Sequence, residues 1–380
     1  MRLLEFQVKE IFNEYGIPVP KALLVENLSA LDTDAALIGD KAVIKAQVPM
    51  GGRGKAGGIK IGRTNQEIKS HTSTLLGSKL KEYLVSMVLI EELLEVSAEY
   101  YLAIITNDQM GLPEIIFGTL GGVEIEQTAE QFPDAIHRKM IDPLYGVQPY
   151  EISDLLVSSV IPDRLWPQMN GIIQNLYKIY WETDSQLAEI NPLVVTSSGE
   201  LIAADGKMII DDNALFRQKS LAEKRTMQSY EKTAEDAHIN YIPLSGDIGM
   251  MGTGAGMAMA NLDQVAHFGG NPANFMDVGP AINIHGVRAG MELLLSRADL
   301  KAILISGYTG SRLDIFAQDV VDALKDHPEF NIPIVIRLQG RNEEIGRKIF
   351  EENPFKNIYF CDDFDKAAEL AVRLSRQVIV

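Results

Sequence analysis

KAVIKAQVPMGGRGKAGGIKI, residues 41–61, is the stretch that best indicates how this chain folds. The apolar run 41–47 predicts a β-strand, and residues 59–61 predict a second strand after a loop, 51–58, with five glycines in eight positions. Lys45 lies inside the first strand, where a lysine is either a solvent-facing edge residue or a phosphate ligand beside the loop. The pattern therefore predicts a glycine-rich hairpin.

The glycine-rich loop differs from the two common phosphate-binding loops. Gly52 to Gly57 match G-x-G-x-x-G, but a dinucleotide fold requires a helix after this motif, and the sequence favours a strand. A Walker A loop requires Ser or Thr after its lysine, and here Ala56 follows Lys55. A hairpin remains, whose unobstructed backbone N–H groups, together with Arg53 and Lys55, suit phosphate oxygens. The alternative is a flexible surface hairpin without a ligand.

A second polar set lies on a predicted strand pair, 186–195 and 201–204, joined by a Ser-Ser-Gly-Glu turn. Glu189 and Asn191 are two residues apart and so face one side of their strand. Asp205 lies on the partner strand, and we expect it opposite Asn191. Carboxylate and amide oxygens, completed by water and phosphate, suit Mg²⁺, whereas the alternative is a polar face on a two-stranded ribbon.

The rest of the first part of the chain predicts a mixed α+β domain. Residues 1–15 carry apolar side chains near helical spacing, which predicts an amphipathic helix that ends at Gly16. Further apolar strands are predicted at 84–91, 100–106 and 114–117.

The charged segment 216–238 predicts a helix and a linker, and the pattern changes after it. Strand-like runs then alternate with helical runs, which predicts a parallel sheet with helices on both faces. We therefore expect two domains, 1–238 and 239–380. The strand-like runs of the second are 240–244, 274–278, 301–306, 332–338 and 357–361.

The composition restricts the function classes. The 380 residues carry a net charge of −17, so neither the basic face of a general nucleic-acid binder nor the basic helix of a membrane-surface protein is expected. Cys361 is the only cysteine, which excludes an internal disulfide and a cysteine zinc site and fits a cytoplasmic location. No run approaches the ~20 apolar residues of a membrane span, and the first residues lack the apolar core of a secretory signal.

Several longer stretches are more specific than any of these short motifs. They are LLEFQVKEIFNEYGIPVP (3–20), KAQVPMGGRGKAGG (45–58), GGVEIEQTAE (121–130), EINPLVV (189–195), DGKMIIDDNALFR (205–217), NYIPLSGDIGMMGTGAGMAM (240–259) and GGNPANFMDVG (269–279). With them the chain resembles, nearly end to end, the β subunit of the succinyl-CoA synthetase family of ADP-forming acid–CoA ligases.

The resemblance implies an ATP-grasp domain whose nucleotide lies between two α+β lobes, followed by a flavodoxin-like ligase domain that contacts an α subunit and the acid. It also implies that the phosphates are held by Lys45, Gly52, Arg53 and Gly54, and the base and ribose by Glu91, Leu94 and Glu99. The magnesium ligands would be Asn191 and Asp205. Glu189 would orient a histidine and, with Arg53, serve catalysis.

The family's reaction passes the γ-phosphate of ATP to a histidine and then to the acid, and the coenzyme A thiol attacks the resulting acyl phosphate. In the family this histidine lies in a glycine- and alanine-rich loop of the α subunit, which also binds most of the coenzyme A. None of the six histidines here has that setting, so the resemblance implies an α-type partner. They are His71, His137, His238, His267, His285 and His327.

Three loops depart from the family members that handle succinate. Thr253 stands where those members have Asn, and residues 279–283 read GPAIN where they have a triple glycine. Residues 307–311 read GYTGS, before Arg312, where they have a Phe-Gly-Gly-Ile-Val stretch. All three loops follow strands of the parallel domain, at the end where α/β folds bind anions.

These departures favour an acid other than succinate. Thr253, Thr309 and Ser311, with Gly310 between the last two, add hydroxyl donors where the family holds the distal carboxylate of the acid, and a sulfonate offers three acceptor oxygens. We therefore favour a short acid such as sulfoacetate. The alternatives are an ordinary succinate–CoA ligase, a ligase for malate or another dicarboxylate, and a nucleotide-binding scaffold without turnover. ATP or GTP preference and αβ or (αβ)₂ assembly stay open.

Overall fold

The protein's structure, a computed structural model, describes residues 1–28, 39–81, 83–122, 125–279, 284–309 and 312–377. These residues fall into a first unit, Met1–Thr226, and a second unit, Met227–Val380. The first contains mixed α/β structure with antiparallel sheets and the second a mainly parallel sheet, so the predicted α/β class is confirmed. No helix within the described ranges is long and apolar enough to cross a membrane.

The glycine-rich segment belongs to the smaller sheet of the first unit. The strands of this region are β1 (Ala22–Val25), β2 (Ala42–Ala46), β3 (Ile59–Gly62), β4 (Lys79–Leu80), β5 (Tyr83–Leu84) and β6 (Val88–Glu92). The sheet runs antiparallel in the order β1–β6–β2–β3, while β4 and β5 pair with each other. Lys45 pairs with Ile59 across β2 and β3, which confirms the predicted hairpin.

The larger sheet of the first unit carries the carboxylate and amide set. Its strands are β7 (Val96–Asn107), β8 (Leu112–Gly118), β9 (Ile136–Met140), β10 (Ser185–Thr196), β11 (Leu201–Ala203) and β12 (Gly206–Ile210). The order is β11–β10–β7–β8–β9. β11 pairs with residues 193–195 of β10, and β12 pairs with residues 185–190 of the same strand. The predicted strand pair is therefore confirmed, and the partner strand continues after a break at Ala204 and Asp205.

Helix α1 brings the start of the chain against this sheet. Val8 and Phe12 of α1 are fully buried in the core of the first unit. Gly206 makes the approach possible, because a Cβ there would come 2.7 Å from Phe12 Cε2 and 2.8 Å from Val8 Cγ1. The helices of this unit are α1 (Glu5–Glu14), α2 (Asn65–Leu75), α3 (Ile125–Gln131), α4 (Pro149–Ser159), α5 (Trp166–Glu182) and α6 (Lys219–Ala222).

The second unit is a sheet with helices on both faces. Its strands are β13 (Asn240–Pro243), β14 (Ile248–Gly252), β15 (Asn274–Asp277), β16 (Ala302–Thr309), β17 (Ile334–Gly340) and β18 (Ile358–Phe360). The order is β13–β15–β14–β16–β17–β18, and only the β13–β15 pair among the described strands of this sheet is antiparallel. From β14 onward this is the flavodoxin-like order 2-1-3-4-5.

Two cores cover the two faces of this sheet. Ile303 and Ile305 point into one core, and the alternate residues Ala302 and Leu304 point into the other, as the period of a strand requires. The second core is completed by α8 and α12, and the first by the remaining helices. The helices are α7 (Ser229–Asp236), α8 (Ala255–His267), α9 (Ile284–Leu295), α10 (Leu313–Asp326), α11 (Glu343–Glu352) and α12 (Phe364–Ser375).

The division between the units lies earlier than the predicted boundary at 238. The charged segment that predicted a helix and a linker contains α6 and α7. Ala234 and Ala237, in and just after α7, are buried in a core of the second unit. Residues 227–238 therefore pack with the second unit instead of forming a linker.

Candidate functional site

The glycine-rich loop closes the β2–β3 hairpin. Its backbone turns at Arg53, whose carbonyl accepts a hydrogen bond from the Gly58 N–H at 2.8 Å. Gly52 and Gly57 have φ angles of +68° and +80°, which glycine adopts without strain. Because β3 follows the loop directly at Ile59, the loop is not the strand-to-helix turn of a dinucleotide fold.

Of the predicted carboxylate and amide set, Glu189 and Asn191 lie on β10, and Asp205 lies in the break between β11 and β12, not within the partner strand as predicted. The Asn191 N–H donates to the Asp205 carbonyl at 3.2 Å, so these residues lie opposite each other, as predicted. Glu189 pairs with Lys207 across β10 and β12. The Glu189 carboxylate also accepts a hydrogen bond from the Tyr101 hydroxyl at 3.4 Å, which orients it on the face of the sheet.

The loop and the strand pair border one cavity of about 540 Å³. This volume lies within the usual range for small-molecule sites. The structure therefore brings together predicted residues that lie about 150 positions apart in the sequence. The charged and loop residues that line the cavity include Arg2, Glu5, Gly52, Arg53, Gly54, Lys55, Glu189, Asn191, Asp205 and Lys207.

A buried charge network lies behind the glycine-rich loop. The Glu5 carboxylate of α1 makes salt bridges to Lys9 at 2.8 Å, to Lys45 at 2.8 Å and to Arg53 at 2.6 Å. Glu91 of β6 pairs with Lys45 at 2.7 Å and also with Lys9. All five side chains are at most 10% exposed, and buried charges persist only when they are paired in this way.

The network fixes the charge of its members. Burial opposes ionisation of Glu5, but Lys45, Lys9 and Arg53 hold the pKa of Glu5 well below its usual range. Burial likewise opposes the charge of Lys45 and Arg53, yet Glu5 raises the pKa of both. Burial and the Glu5 charge raise the pKa of Asp205, against the effect of Arg53. Lys45 and Arg53 therefore stay charged.

Asn191 and Asp205 are the oxygen donors that fit Mg²⁺. The Asp205 carboxylate accepts hydrogen bonds from Arg53 Nη2 at 3.0 and 3.1 Å and from the Gly206 N–H at 2.7 Å. Within the described ranges, no group of three or more His, Cys, Asp or Glu side chains is placed to hold a metal. One carboxylate and one amide suit Mg²⁺, which keeps water and phosphate as its other ligands.

The other predicted nucleotide residues lie on or after β6 and on β7. Glu91 belongs to the buried network, Leu94 is half-buried, and Glu99 is exposed. Gly122 joins Glu99 to the strand pair, because its N–H donates to Asn191 Oδ1 at 2.8 Å. Gly122 has a φ of +71°, a conformation that glycine adopts without strain.

The sequence interpretation missed Glu5 and Lys9. These two residues occupy the same face of α1 as the buried Val8 and Phe12, because positions i, i+3, i+4 and i+7 of a helix align. A charged pair on an apolar helix face was the signal that could have identified them.

The predicted acid-substrate residues lie at one edge of the sheet in the second unit. β14 and β16 are parallel neighbours, so Thr253, which follows β14, and Thr309, the last residue of β16, reach the same edge. Thr253 is buried. Gly310 and Ser311 lie outside the described residues, as does the segment 280–283.

A carboxylate organises the described part of this edge. Asp277 Oδ1 accepts the N–H groups of Gly254 and Gly279, each at 2.8 Å, and so ties the loop after β14 to the loop after β15. Arg312, which follows the third of these loops, pairs with Asp314 at 2.6 Å. Its charge is therefore balanced at the start of α10.

Comparison with known proteins agrees with both halves of the chain. Residues 2–195 match the ATP-grasp domain family, and residues 251–372 match the CoA-ligase family. The chain is 38% identical to the succinate–CoA ligase [ADP-forming] subunit beta 2 of Archaeoglobus fulgidus, over 100% of each chain. It is 39% identical to the corresponding subunit beta of Aquifex aeolicus, over 99% of this chain and 100% of that one.

Among solved structures, the ATP citrate lyase of Methanothrix soehngenii, in complex with citrate and coenzyme A, has a similar fold. The TM-score is 0.69 at 20% identity, over 98% of this chain and 99% of that one. The curated relatives carry more weight, because their similarity extends to the sequence over the whole length. This chain belongs to the family of β subunits of ADP-forming succinate–CoA ligases, which are ATP-dependent acid–thiol ligases.

Proposed function

We propose that this chain binds ATP and Mg²⁺ in an ADP-forming ligase that joins succinate to coenzyme A. The observation that supports this proposal is the cavity that gathers the glycine-rich loop, Arg53 and the set of Glu189, Asn191 and Asp205. The curated relatives are named for succinate, and they support this acid better than the sulfonate that the loop sequences favour.

In this proposal the loop and its cations hold the phosphates of the nucleotide. Gly52 and Gly54 would donate backbone N–H groups, and Arg53 and Lys45 would supply the positive charge. Phosphoryl transfer depends mainly on such positioning and charge neutralisation. Asn191 and Asp205 would hold Mg²⁺, which when bound neutralises phosphate oxygens.

The base and ribose would lie beside the end of β6 and the start of β7. We assign Leu94 and Glu99 to these contacts, together with the backbone of Glu91. The backbone is chosen over the Glu91 carboxylate because that carboxylate is buried and both of its oxygens already pair with lysines, Oε1 with Lys9 and Oε2 with Lys45.

The phosphoryl acceptor would be a histidine of an α-type partner, oriented by Glu189. The lone pair of one ring nitrogen forms a bond to the γ-phosphorus while the bond to the β–γ bridging oxygen breaks and ADP leaves. The proton on the other ring nitrogen stays there, hydrogen-bonded to the Glu189 carboxylate. The acid carboxylate then takes the phosphoryl group, and the coenzyme A thiol displaces phosphate, which forms the thioester.

A cytoplasmic location stays a prediction.

A short sulfonate such as sulfoacetate is the second candidate for the acid. Its support is the sequence of the loops after β14 and β16, where Thr253, Thr309 and Ser311 supply hydroxyl groups. The space between β14 and β16 is also where strand order reverses, and open α/β sheets bind ligands at such points. Gly310 would contribute backbone to the same acid site.

The test is to co-express this chain with an α-type subunit of the family and to measure thiol consumption with ATP, Mg²⁺ and coenzyme A. The acids would be succinate, malate, sulfoacetate and related short acids. The highest kcat/KM for succinate would support the main proposal, and the highest for a sulfonate would support the second candidate. Nucleotide binding without turnover of any acid would contradict both and favour a scaffold.

A further inference from the structure

Arg2 is a cation in the cavity that neither the sequence motifs nor the proposed roles include. It precedes α1 and forms an antiparallel β-bridge with Ile209 of β12. Its half-buried side chain lines the cavity, and Nη2 lies 3.8 Å from the point that a Cβ on Gly51 would occupy. The guanidinium therefore lies against the first residue of the glycine-rich loop.

The pairing of Arg2 differs from that of the neighbouring cations. Lys9, Lys45 and Arg53 each make at least one salt bridge to a buried carboxylate. Among the described residues, the Arg2 guanidinium forms no hydrogen bond and no salt bridge. A half-buried guanidinium whose N–H groups have no hydrogen-bond acceptor among the described residues can donate to an anion that enters the cavity.

The charges around Arg2 indicate which part of a bound nucleotide it meets. Burial and Arg53 lower the pKa of Arg2, whereas Glu189 and Asp205 act in the opposite direction. Arg2 also lines the same cavity as Glu189, which is assigned to the acceptor histidine, and Asp205, which is assigned to Mg²⁺. Those two groups mark the end of the cavity where the phosphoryl group would change partners.

We propose that Arg2 is a catalytic residue that donates hydrogen bonds to the oxygens of the phosphoryl group in transit. This inference rests on the proposed function, since it requires that ATP occupies the cavity. Arg2 and Arg53 would then share the charge of the transferred group, one bonded to the network and one free to follow the ligand. A planar guanidinium can hold two phosphate oxygens at once, which a lysine cannot.

The test uses the complex of this chain with its α-type partner. Arg2→Gln and Arg2→Lys would be compared with Arg63→Gln, which removes an exposed arginine of the same unit. Two quantities are measured: the single-turnover rate of phosphorylation of the α-subunit histidine by ATP, and the Kd for ADP by calorimetry. Melting temperatures of all variants report whether they fold.

We expect Arg2→Gln to slow phosphorylation by about 10²-fold, as for the loss of one preorganised donor to a developing charge. The Kd for ADP should stay within about twofold of wild type, because ADP lacks the transferred group. Arg2→Lys should recover part of the rate, since it restores charge without the fork. Because the Arg2 side chain forms no hydrogen bond or ion pair with the part of the chain that the structure describes, the melting temperatures should match that of Arg63→Gln.

Two results would overturn the role of Arg2. One is phosphorylation by Arg2→Gln at the rate of Arg63→Gln. The other is a weaker Kd for ADP that accounts for the whole loss, which would make Arg2 an ordinary binding residue. A wild-type complex that binds ADP but forms no phosphohistidine would instead reject the proposed function, and the inference with it.

Discussion

The cavity of the first unit and the sheet edge of the second unit are organised in different ways. In the cavity, Glu5 holds Lys45 and Arg53, so side chains from three separate segments fix one another. At the sheet edge, Asp277 holds the backbone N–H groups of two loops. The cavity thus depends on contacts between several side chains, whereas at the edge one side chain, Asp277, binds backbone N–H groups. Side chains that contact an acid can therefore vary at the edge without loss of the scaffold.

Arg53→Gln tests the first region at its centre and should have the largest effect. We expect kcat for ATP-dependent thioester formation to fall by about 10³-fold or more, as for arginines that neutralise a transferred phosphoryl group. Arg217→Gln is the matched control, because that guanidinium also pairs with an aspartate, Asp184, at 2.6 Å, and does not line the cavity. Equal kcat for the two variants would contradict a role of Arg53 in phosphate binding.

Glu5→Gln asks whether the buried network also carries stability. We expect the free energy of unfolding of the first unit to fall by about 3–5 kcal/mol, because removal of one partner leaves buried charges uncompensated. Urea denaturation measures the change. Glu10→Gln removes an exposed carboxylate of the same helix, paired with Lys224 at 2.9 Å, and should cost less than about 1 kcal/mol. Two variants of equal stability would show that the network is not a structural requirement.

Asp277→Ala tests the second region separately from the first. Loss of an acceptor for two backbone N–H groups should raise KM for the acid by a factor that corresponds to about 1–3 kcal/mol. KM for ATP should not change, since the nucleotide site uses none of these groups. Asp277→Asn retains one acceptor oxygen and should have a smaller effect. If KM for ATP rises in parallel with KM for the acid, the two regions are not independent.

A pH dependence in the second unit should be the smallest effect. A hydrogen bond to Glu292, at 2.7 Å, raises the pKa of His327 above its ordinary value of 6.5. The stabilisation is therefore complete below about pH 6.5 and is lost as the pH rises through the raised pKa. We expect this loss to be below about 1 kcal/mol, because the pair is partly exposed.

His327→Gln is the variant that checks this dependence. Urea denaturation on both sides of the raised pKa gives the free energy of unfolding of wild type and variant. Wild type should lose more stability than His327→Gln over this range. Identical pH profiles would mean that the exposed pair contributes nothing measurable, in contrast to the buried network around Glu5.

Local patterns in the sequence predicted the parts of the site that depend on neighbours along the chain. The glycine-rich hairpin follows from two apolar runs around the loop, and the opposition of Asn191 and Asp205 follows from a short turn between two strands. The parallel sheet of the second unit follows from alternating strands and helices. Each of these predictions concerns segments that are close in sequence or obey a general rule of topology.

The parts that were missed depend on long-range packing. Lys9 contacts Glu91 and the Ala204 carbonyl, which are 82 and 195 residues away in the sequence. A local sequence pattern cannot predict such distant partners. β14 is one of the two central strands of its sheet, yet its sequence, IGMMG, has two glycines and one β-branched residue, so it lacks the usual strand signal. Its burial on both faces, which comes from the helices around it, stabilises this strand.

Gly206 shows how a site can depend on an atom that is missing. The rings and methyl groups of α1 rest where a side chain would otherwise stand, so a single added methyl group in Gly206→Ala would push the helix outward. The carboxylate of Glu5 is carried on that helix, and displacing it would release Lys45 and Arg53 together. The distance between α1 and β12 thus controls the positions of Lys45 and Arg53. Small changes of that distance would therefore alter the affinity for the nucleotide.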